Sequence, residues 1–259
     1  MKENSNDPFF SIVTCTYNSE RFVQRNIDSV RSQTFKNYEH IFIDGYSKDR
    51  TVQIIRNYLS KSKSKVKLFQ FPPLGISDAF NRGISKSRGK WIIFLNSDDY
   101  LNDSCVLEDV YNYLLGRPNV DVLYAKATFL KSGNSEVKRI IPHRDIYRKV
   151  YYWLLLITNY IPHQSVFTKR LVFEKYGYFD EELKSSMDYE MWLRLSKEKV
   201  NFSFFDRKIA FCVIRKDAMS QSGLANLEHS KILDKYVKNK FLAFVLKLIY
   251  KINSLRNLI

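Results

Sequence analysis

The sequence predicts an α/β fold: a mixed, mainly parallel sheet flanked by helices, followed by a C-terminal amphipathic helical segment. Three observations carry that reading. Between Phe9 and Leu95, four short apolar runs alternate with three helical patterns, the rhythm of strand–helix–strand units. The polar residues ending three of those runs are Tyr17 and Asn18, Asp44, and Asn96 to Asp99. They all fall at carboxyl ends of strands, where open α/β sheets bind ligands. The composition is 45% hydrophobic with eight Gly and six Pro in 259 residues, which supplies a core and argues against long disordered tracts.

The strands are expected at Phe9–Thr16, His40–Asp44, Val66–Phe71 and Trp91–Leu95. Between the first two, Ser19–Gln33 sets Phe22, Ile27 and Val30 on one helical face, with Asn18 or Ser19 available as N-cap. Arg50–Leu59 repeats the pattern behind Asp49 as its cap, and Gly75–Ser85 supplies a third short helix. The second half is less regular. Asp121–Leu130 and Val137–Ile141 read as strands around a turn at Lys131–Asn134, and Tyr147–Ile157 as an apolar helix or pocket wall. Arg170–Tyr176 and Tyr189–Lys199 read as helices, Phe202–Phe205 and Ile209–Ile214 as strands.

From Asn226 a long helical pattern runs to the C-terminus, so the chain divides into a main α/β domain, 1–225, and an appended segment, 226–259. From Lys235 to Ile259 there is no acidic residue, and six Lys and Arg interleave with Phe241, Phe244, Leu248 and Ile252. Such a helix can lie in the interface of an anionic membrane or pack on protein. The net charge of +15 demands a cationic face, suited to nucleic acid, nucleotide sugars or lipid headgroups. The three cysteines, Cys15, Cys105 and Cys212, have neither disulfide nor zinc spacing and are expected as buried thiols. The N-terminus lacks the apolar core of a signal peptide, and no apolar run is long enough to span a bilayer.

The segment 89–99, Gly-Lys-Trp-Ile-Ile-Phe-Leu-Asn-Ser-Asp-Asp, is the most informative. A buried strand delivers two adjacent carboxylates, Asp98 and Asp99, to one rim. Drawn partly out of water, adjacent acids repel unless a cation compensates them, and oxygen donors suit Mg²⁺ or Mn²⁺ completed by substrate phosphates. Asn-Ser-Asp-Asp is equally good chemistry for a solvated turn.

Several motifs in order resemble the family 2 glycosyltransferases, inverting enzymes with a GT-A fold. They are Ser11-Ile-Val-Thr-Cys-Thr-Tyr-Asn18, Ile43-Asp-Gly-Tyr-Ser-Lys-Asp49 with Thr51, Gly75-Ile-Ser-Asp-Ala-Phe-Asn-Arg-Gly83 and Phe94-Leu-Asn-Ser-Asp-Asp99. Pro162-His-Gln164, Gly177-Tyr-Phe-Asp-Glu181 and Met187-Asp-Tyr-Glu-Met-Trp-Leu-Arg194 follow, so the resemblance covers about Phe9 to Ser222. The chain departs from the pattern at Cys15, at Tyr46 and Arg50, at Asn96 in place of the first acid of Asp-x-Asp, and across Arg215–Ser220.

The resemblance implies a metal-dependent, inverting sugar transfer from a nucleotide-diphosphate donor, a UDP-sugar above all. The acceptor is a saccharide, lipid-linked, in surface polysaccharide or lipopolysaccharide synthesis. It implies that Tyr17 lines the base, that Asp44 accepts its N–H, and that Asp78 and Asn81 lie near the donor. Asn96 reaches the ribose, Asp98 with Asp99 holds Mg²⁺ or Mn²⁺, and His163 and Gln164 sit near acceptor or diphosphate. Asp188 is the candidate base; an N-cap is its ordinary alternative. With residues 235–259 on an anionic membrane, the chain is expected in the cytoplasm, peripheral on the inner membrane face. No nucleic acid is expected, although a basic nucleic-acid-binding α/β protein and an inactive scaffold of this fold remain alternatives.

Overall fold

The computed structural model describes residues 7–62, 65–131, 136–142, 149–214 and 224–256. Arg215–Ser220 and most of the turn at 131–134 lie outside the described residues.

The first half follows the predicted alternation closely. Strands β1 (Phe10–Thr16), β2 (Tyr38–Asp44), β3 (Val66–Gln70) and β4 (Trp91–Phe94) enclose helices α1 (Val23–Arg31), α2 (Thr51–Lys61) and α3 (Ile76–Lys86). All four strands pair in parallel in the order β3-β2-β1-β4. Parallel strands are buried on both faces, and every residue of β2 and β4 is buried. The sheet and α3 meet at Gly83, where a side chain would run into Val13.

Beyond β4 the chain adds a two-residue strand β5 (Tyr100–Leu101) and helix α4 (Val106–Leu115), neither of them predicted. Then come β6 (Val122–Lys131), β7 (Val137–Ile141), the short helix α5 (Tyr152–Leu155) and a single 3-10 turn at His163–Ser165. Strand β8 (Val166–Lys169) and helices α6 (Arg170–Tyr176) and α7 (Met187–Lys197) lead to β9 (Phe202–Ile214). The sheet continues from β4 through β8, β6 and β9 to β5, with β8 antiparallel to both its neighbours and β9 parallel to β6. The fold class is as predicted: mixed α/β with C-terminal helices.

Four local expectations are corrected. The strands expected at Phe202–Phe205 and Ile209–Ile214 form one continuous β9, whose charged interruption is absorbed by register shifts against Ala125–Ala127. Helix α7 starts two residues earlier than predicted, so Asp188 lies in its first turn. Neither Asn18 nor Ser19 caps α1, which starts after Phe22 without a side-chain cap. Cys105 is exposed rather than buried.

The long C-terminal pattern is two helices, α8 (Leu224–Tyr236) and α9 (Lys240–Arg256). The break falls where Asn239 Oδ1 accepts the Leu242 N–H at 3.0 Å, an N-cap bond. Ile232, Leu233, Val237, Ala243 and Leu246 join the same core cluster as Val13, Phe80 and Trp192. The C-terminal segment is thus packed into the body of the protein.

Candidate active site

Parallel pairing puts the carboxyl ends of β1, β2 and β4 on one rim, and short polar contacts tie them together there. Asp44, fully buried, ends β2 opposite Thr16. Its Oδ1 accepts from Thr16 Oγ1 at 2.9 Å and Ser47 Oγ at 2.5 Å. Its Oδ2 accepts from the Ser47 N–H at 3.0 Å and Gln70 Nε2 at 3.1 Å. Four donors fill a carboxylate's acceptor positions. Tyr17 stands beside it, 59% exposed. Tyr17 can lie so close because residue 45 is glycine: a Cβ there would come within 3.1 Å of both the Tyr17 ring and Pro73. Asn18 and Tyr46 adopt positive φ, 48° and 56°, at the two strand ends. Asn tolerates that region; a tyrosine there is uncommon.

The turn after β4 carries the acids. Asp99 is buried and Asp98 partly exposed. Burial pushes the Asp99 carboxyl well above the usual carboxylate range, and the Asp98 charge pushes the same way. Hydrogen bonds from the Val213 N–H and the side chains of Gln164 and Asn96 pull against that shift. Asp99 Oδ2 and Asn96 Oδ1 are nonetheless buried acceptors without a well-formed hydrogen bond. Two adjacent carboxylates, one with an orphaned buried oxygen, fit Mg²⁺ or Mn²⁺. Such ions take one or two protein carboxylates and complete their shell with phosphates and water. No group of three His, Cys, Asp or Glu among the described residues forms a complete protein cage.

The second half supplies the other wall. His163, at the head of the 3-10 turn, places Nε2 3.2 Å from Asn96 Nδ2 and Nδ1 3.2 Å from Asp188 Oδ2. Asp188 Oδ1 accepts the Tyr189 N–H at 2.7 Å. It lies in the first turn of α7. From Asn96 the rim continues through Ser97, whose hydroxyl donates to Ser19 Oγ at 2.9 Å, and through Asn18, whose N–H donates to Ser47 Oγ at 2.9 Å. Asp44, Asn96 and Asp188, 144 residues apart end to end, thus border one region.

Two predicted donor residues are held by protein partners. Asp78 pairs with Arg82 at 2.7 Å along α3. Asn81 Nδ2 donates to the Phe179 carbonyl and to Glu181 Oε1, both at 2.9 Å, while its Oδ1 accepts the Phe179 N–H at 3.0 Å. Both ends of that amide brace the loop after Gly177. His40 is structural: fully buried, 3.0 Å from Thr14 Oγ1, its pKa lowered by burial to about 3.

Sequence reasoning missed two residues. Asn26, fully buried on α1, donates to the carbonyls of Asn96 at 2.9 Å and Asp99 at 3.1 Å, holding the acidic turn from behind. Its signal was a polar residue inside the apolar stripe Val23, Ile27, Val30. Glu228 on α8 accepts the N–H groups of Lys184, Ser185 and Ser186 at 2.7, 2.9 and 2.8 Å, fixing the entry to α7. Its signal was an acid one turn before the buried Ile232.

The model of the family described as Glycosyl transferase family 2 matches residues 11–177, more than half of the chain and the rim from β1 through His163. The chain belongs to glycosyltransferase family 2. A Haemophilus influenzae protein named an uncharacterized glycosyltransferase is 30% identical over 223 residues, covering 79% of this chain and 86% of that one. A Methanocaldococcus jannaschii glycosyltransferase, likewise uncharacterized, is 26% identical over 203 residues, covering 77% and 68%. Among solved structures, S. aureus TarS in complex with UDP-GlcNAc superposes with a TM-score of 0.67 at 20% identity, over 86% of this chain and 64% of that one. The Pyrobaculum calidifontis mannosyltransferase PcManGT, in complex with GDP-Man and Mn²⁺, gives 0.70 at 16% identity, over 90% and 65%. At those identities the likeness is one of fold, and it is the GT-A glycosyltransferase fold. This family 2 chain spans just under two thirds of the length of each of those two structures.

Proposed function

We propose that this protein transfers a sugar, with inversion, from a nucleotide-diphosphate donor to a saccharide acceptor, and that Asp188 is the base. The observation that carries the reading is the contact series Asp188–His163–Asn96, which sets a carboxylate across from the acidic turn of β4. Asp188 removes the proton of the acceptor hydroxyl, whose oxygen attacks the anomeric carbon from the face opposite the diphosphate. The carbon–oxygen bond to the nucleotide breaks as the new glycosidic bond forms. Asp98 and Asp99 would hold Mg²⁺ or Mn²⁺, which would supply positive charge to the leaving diphosphate when bound. Asn96 reaches the ribose, and His163 and Gln164 border the acceptor side.

The base of the donor lies on Tyr17 and gives its N–H to Asp44, an acceptor that suits the N3–H of uracil or thymine. Because Asp44 already accepts four donors, the base replaces its longest contact, Gln70 at 3.1 Å. The bound UDP-GlcNAc of TarS supports a UDP-sugar, and the Mn²⁺ of PcManGT supports the metal. Asp78 and Asn81 act at one remove, through Arg82 and the loop after Gly177.

The acceptor is a lipid-linked saccharide at the inner face of the cytoplasmic membrane, in surface polysaccharide synthesis. Support comes from α9, whose Phe241, Phe244, Leu248 and Ile252 are exposed along one stripe among lysines. No described helix is long and apolar enough to cross a membrane, so the contact is with the surface.

Asp188→Asn tests the reading directly. General-base help is worth about 10²–10⁴-fold, so transfer of labelled sugar falls by that factor while calorimetric donor affinity stays unchanged. Equal turnover in the variant removes Asp188 from the role.

A further inference from the structure

We infer that the Asn96 amide fixes the proton of His163 on Nδ1, and that His163 so held orients the Asp188 carboxylate. Both are positioning residues. The inference rests on the reading of Asp188 as base and adds the pair that sets its geometry.

The argument starts from what an amide nitrogen can do. Asn96 Nδ2 faces His163 Nε2 at 3.2 Å, and an amide NH₂ only donates. Nε2 therefore presents its lone pair, and in a neutral ring the proton sits on Nδ1. Nδ1 is the atom that faces Asp188 Oδ2 at 3.2 Å. Both ring nitrogens are matched without a second proton, and the ring stands edge-on to Phe80, 5.6 Å between centroids, which limits its rotation.

The consequence falls on Asp188. One oxygen is held by the ring N–H, the other by the Tyr189 N–H at 2.7 Å. Each oxygen keeps acceptor capacity for an incoming hydroxyl, and the carboxylate is tied to the turn that carries Asp98. The residue at 96 decides this arrangement. An aspartate there, as the family motif would have it, sets carboxylates against both ring nitrogens and draws a proton onto each. A cationic ring beside Asp188 makes that carboxylate a weaker base. Asparagine holds the ring by the same edge without setting a second carboxylate against it.

Nitrogen-15 spectra of histidine-labelled protein test the tautomer apart from turnover. The chain has four histidines, and the His163 signals are those lost in His163→Asn. The expected wild-type pattern is Nδ1 protonated and Nε2 bare, with Nε2 gaining a proton in Asn96→Asp. Kinetics supply the second arm. His163→Gln, which loses a donor at the Nδ1 position, lowers kcat about 10–100-fold, by analogy with the loss of a partner that orients a metal's ligand, with donor KM unchanged. His163→Asn, whose amide N–H can stand where Nδ1–H stood, recovers most of that loss. A wild-type ring protonated on Nε2, or equal impairment of the two variants, overturns the inference. Wild-type turnover in Asp188→Asn overturns the base assignment instead, and the spectra are read independently of it.

Discussion

His163 Nδ1 lies 3.2 Å from Asp188 Oδ2, a contact between residues 25 positions apart that joins the 3-10 turn to helix α7. Neither residue belongs to the regular first half of the fold. Their meeting point faces the end of β4 because His163 also reaches Asn96. The parallel half of the sheet therefore presents the acidic turn, and the irregular half brings the carboxylate toward it. What holds that second wall in place leads to the first prediction.

Glu228 is buried and accepts three consecutive backbone N–H groups just before α7. Removing it takes the acceptor from three donors, of which only the Ser186 N–H makes a buried bond, and a buried unsatisfied group costs about 1–3 kcal/mol. Glu228→Ala is expected to lower unfolding free energy by about 1–3 kcal/mol, measured by urea titration, and to lower transfer with it. A loss below about 1 kcal/mol means that water or a shifted loop satisfies those groups.

Metal dependence should follow Asp98. A variant Asp98→Ala keeps the buried Asp99 but removes the more exposed of the two acids. Calorimetry with UDP-sugar is expected to show Mn²⁺-enhanced donor binding in the wild type and none in the variant. Unchanged enhancement assigns the metal elsewhere.

Acid sensitivity follows from two buried histidines. Burial lowers both His40 and His229 to about 3, against roughly 6.5 in the unfolded chain. Between those values the unfolded state binds more protons, so stability is whole above about pH 6.5 and is lost as pH falls toward 3. Each histidine contributes a slope of about 1.4 kcal/mol per pH unit across that window. Urea titrations from pH 7 to 4 are expected to show it, and His40→Gln, which can still meet Thr14, should reduce the slope by one proton. An unchanged slope in the variant shows that His40 does not titrate on unfolding.

The sequence reveals most where function is written in strand ends. Tyr17, Asp44 and Asn96 to Asp99 each close an apolar run, and strand parallelism alone sets them on a common rim. Asp188 and His163 were legible through motif order, but not their contact, which depends on how α7 and the 3-10 turn pack. Asn26 and Glu228 were illegible as site residues because their partners lie 70 and more than 40 positions away. The split reading of β9 has a local cause. Asp206, Arg207 and Lys208 break the apolar pattern, while Arg207 is paired across to Asp103 and Asp109, so the strand continues beneath charged side chains. The break between α8 and α9 was written in Asn239, a capping residue inside an apparently unbroken helical pattern.

That break also changes how the membrane reading has to be tested. Val237, Ala243 and Leu246 are core residues, so deleting the segment from Lys235 would damage the enzyme and not only its docking face. Phe241, Phe244, Leu248 and Ile252, by contrast, are 78%, 64%, 50% and 44% exposed, spaced at helical intervals along one face. Replacing Phe241, Phe244 and Leu248 by serine removes apolar surface without opening the core. In flotation assays the wild type is expected to rise with phosphatidylglycerol vesicles and to stay down with phosphatidylcholine, since each nearby cation adds about 1 kcal/mol only on an anionic surface. The triple variant should stay down with both. Wild type that ignores anionic vesicles, or a variant that floats as well, assigns the stripe to another protein surface.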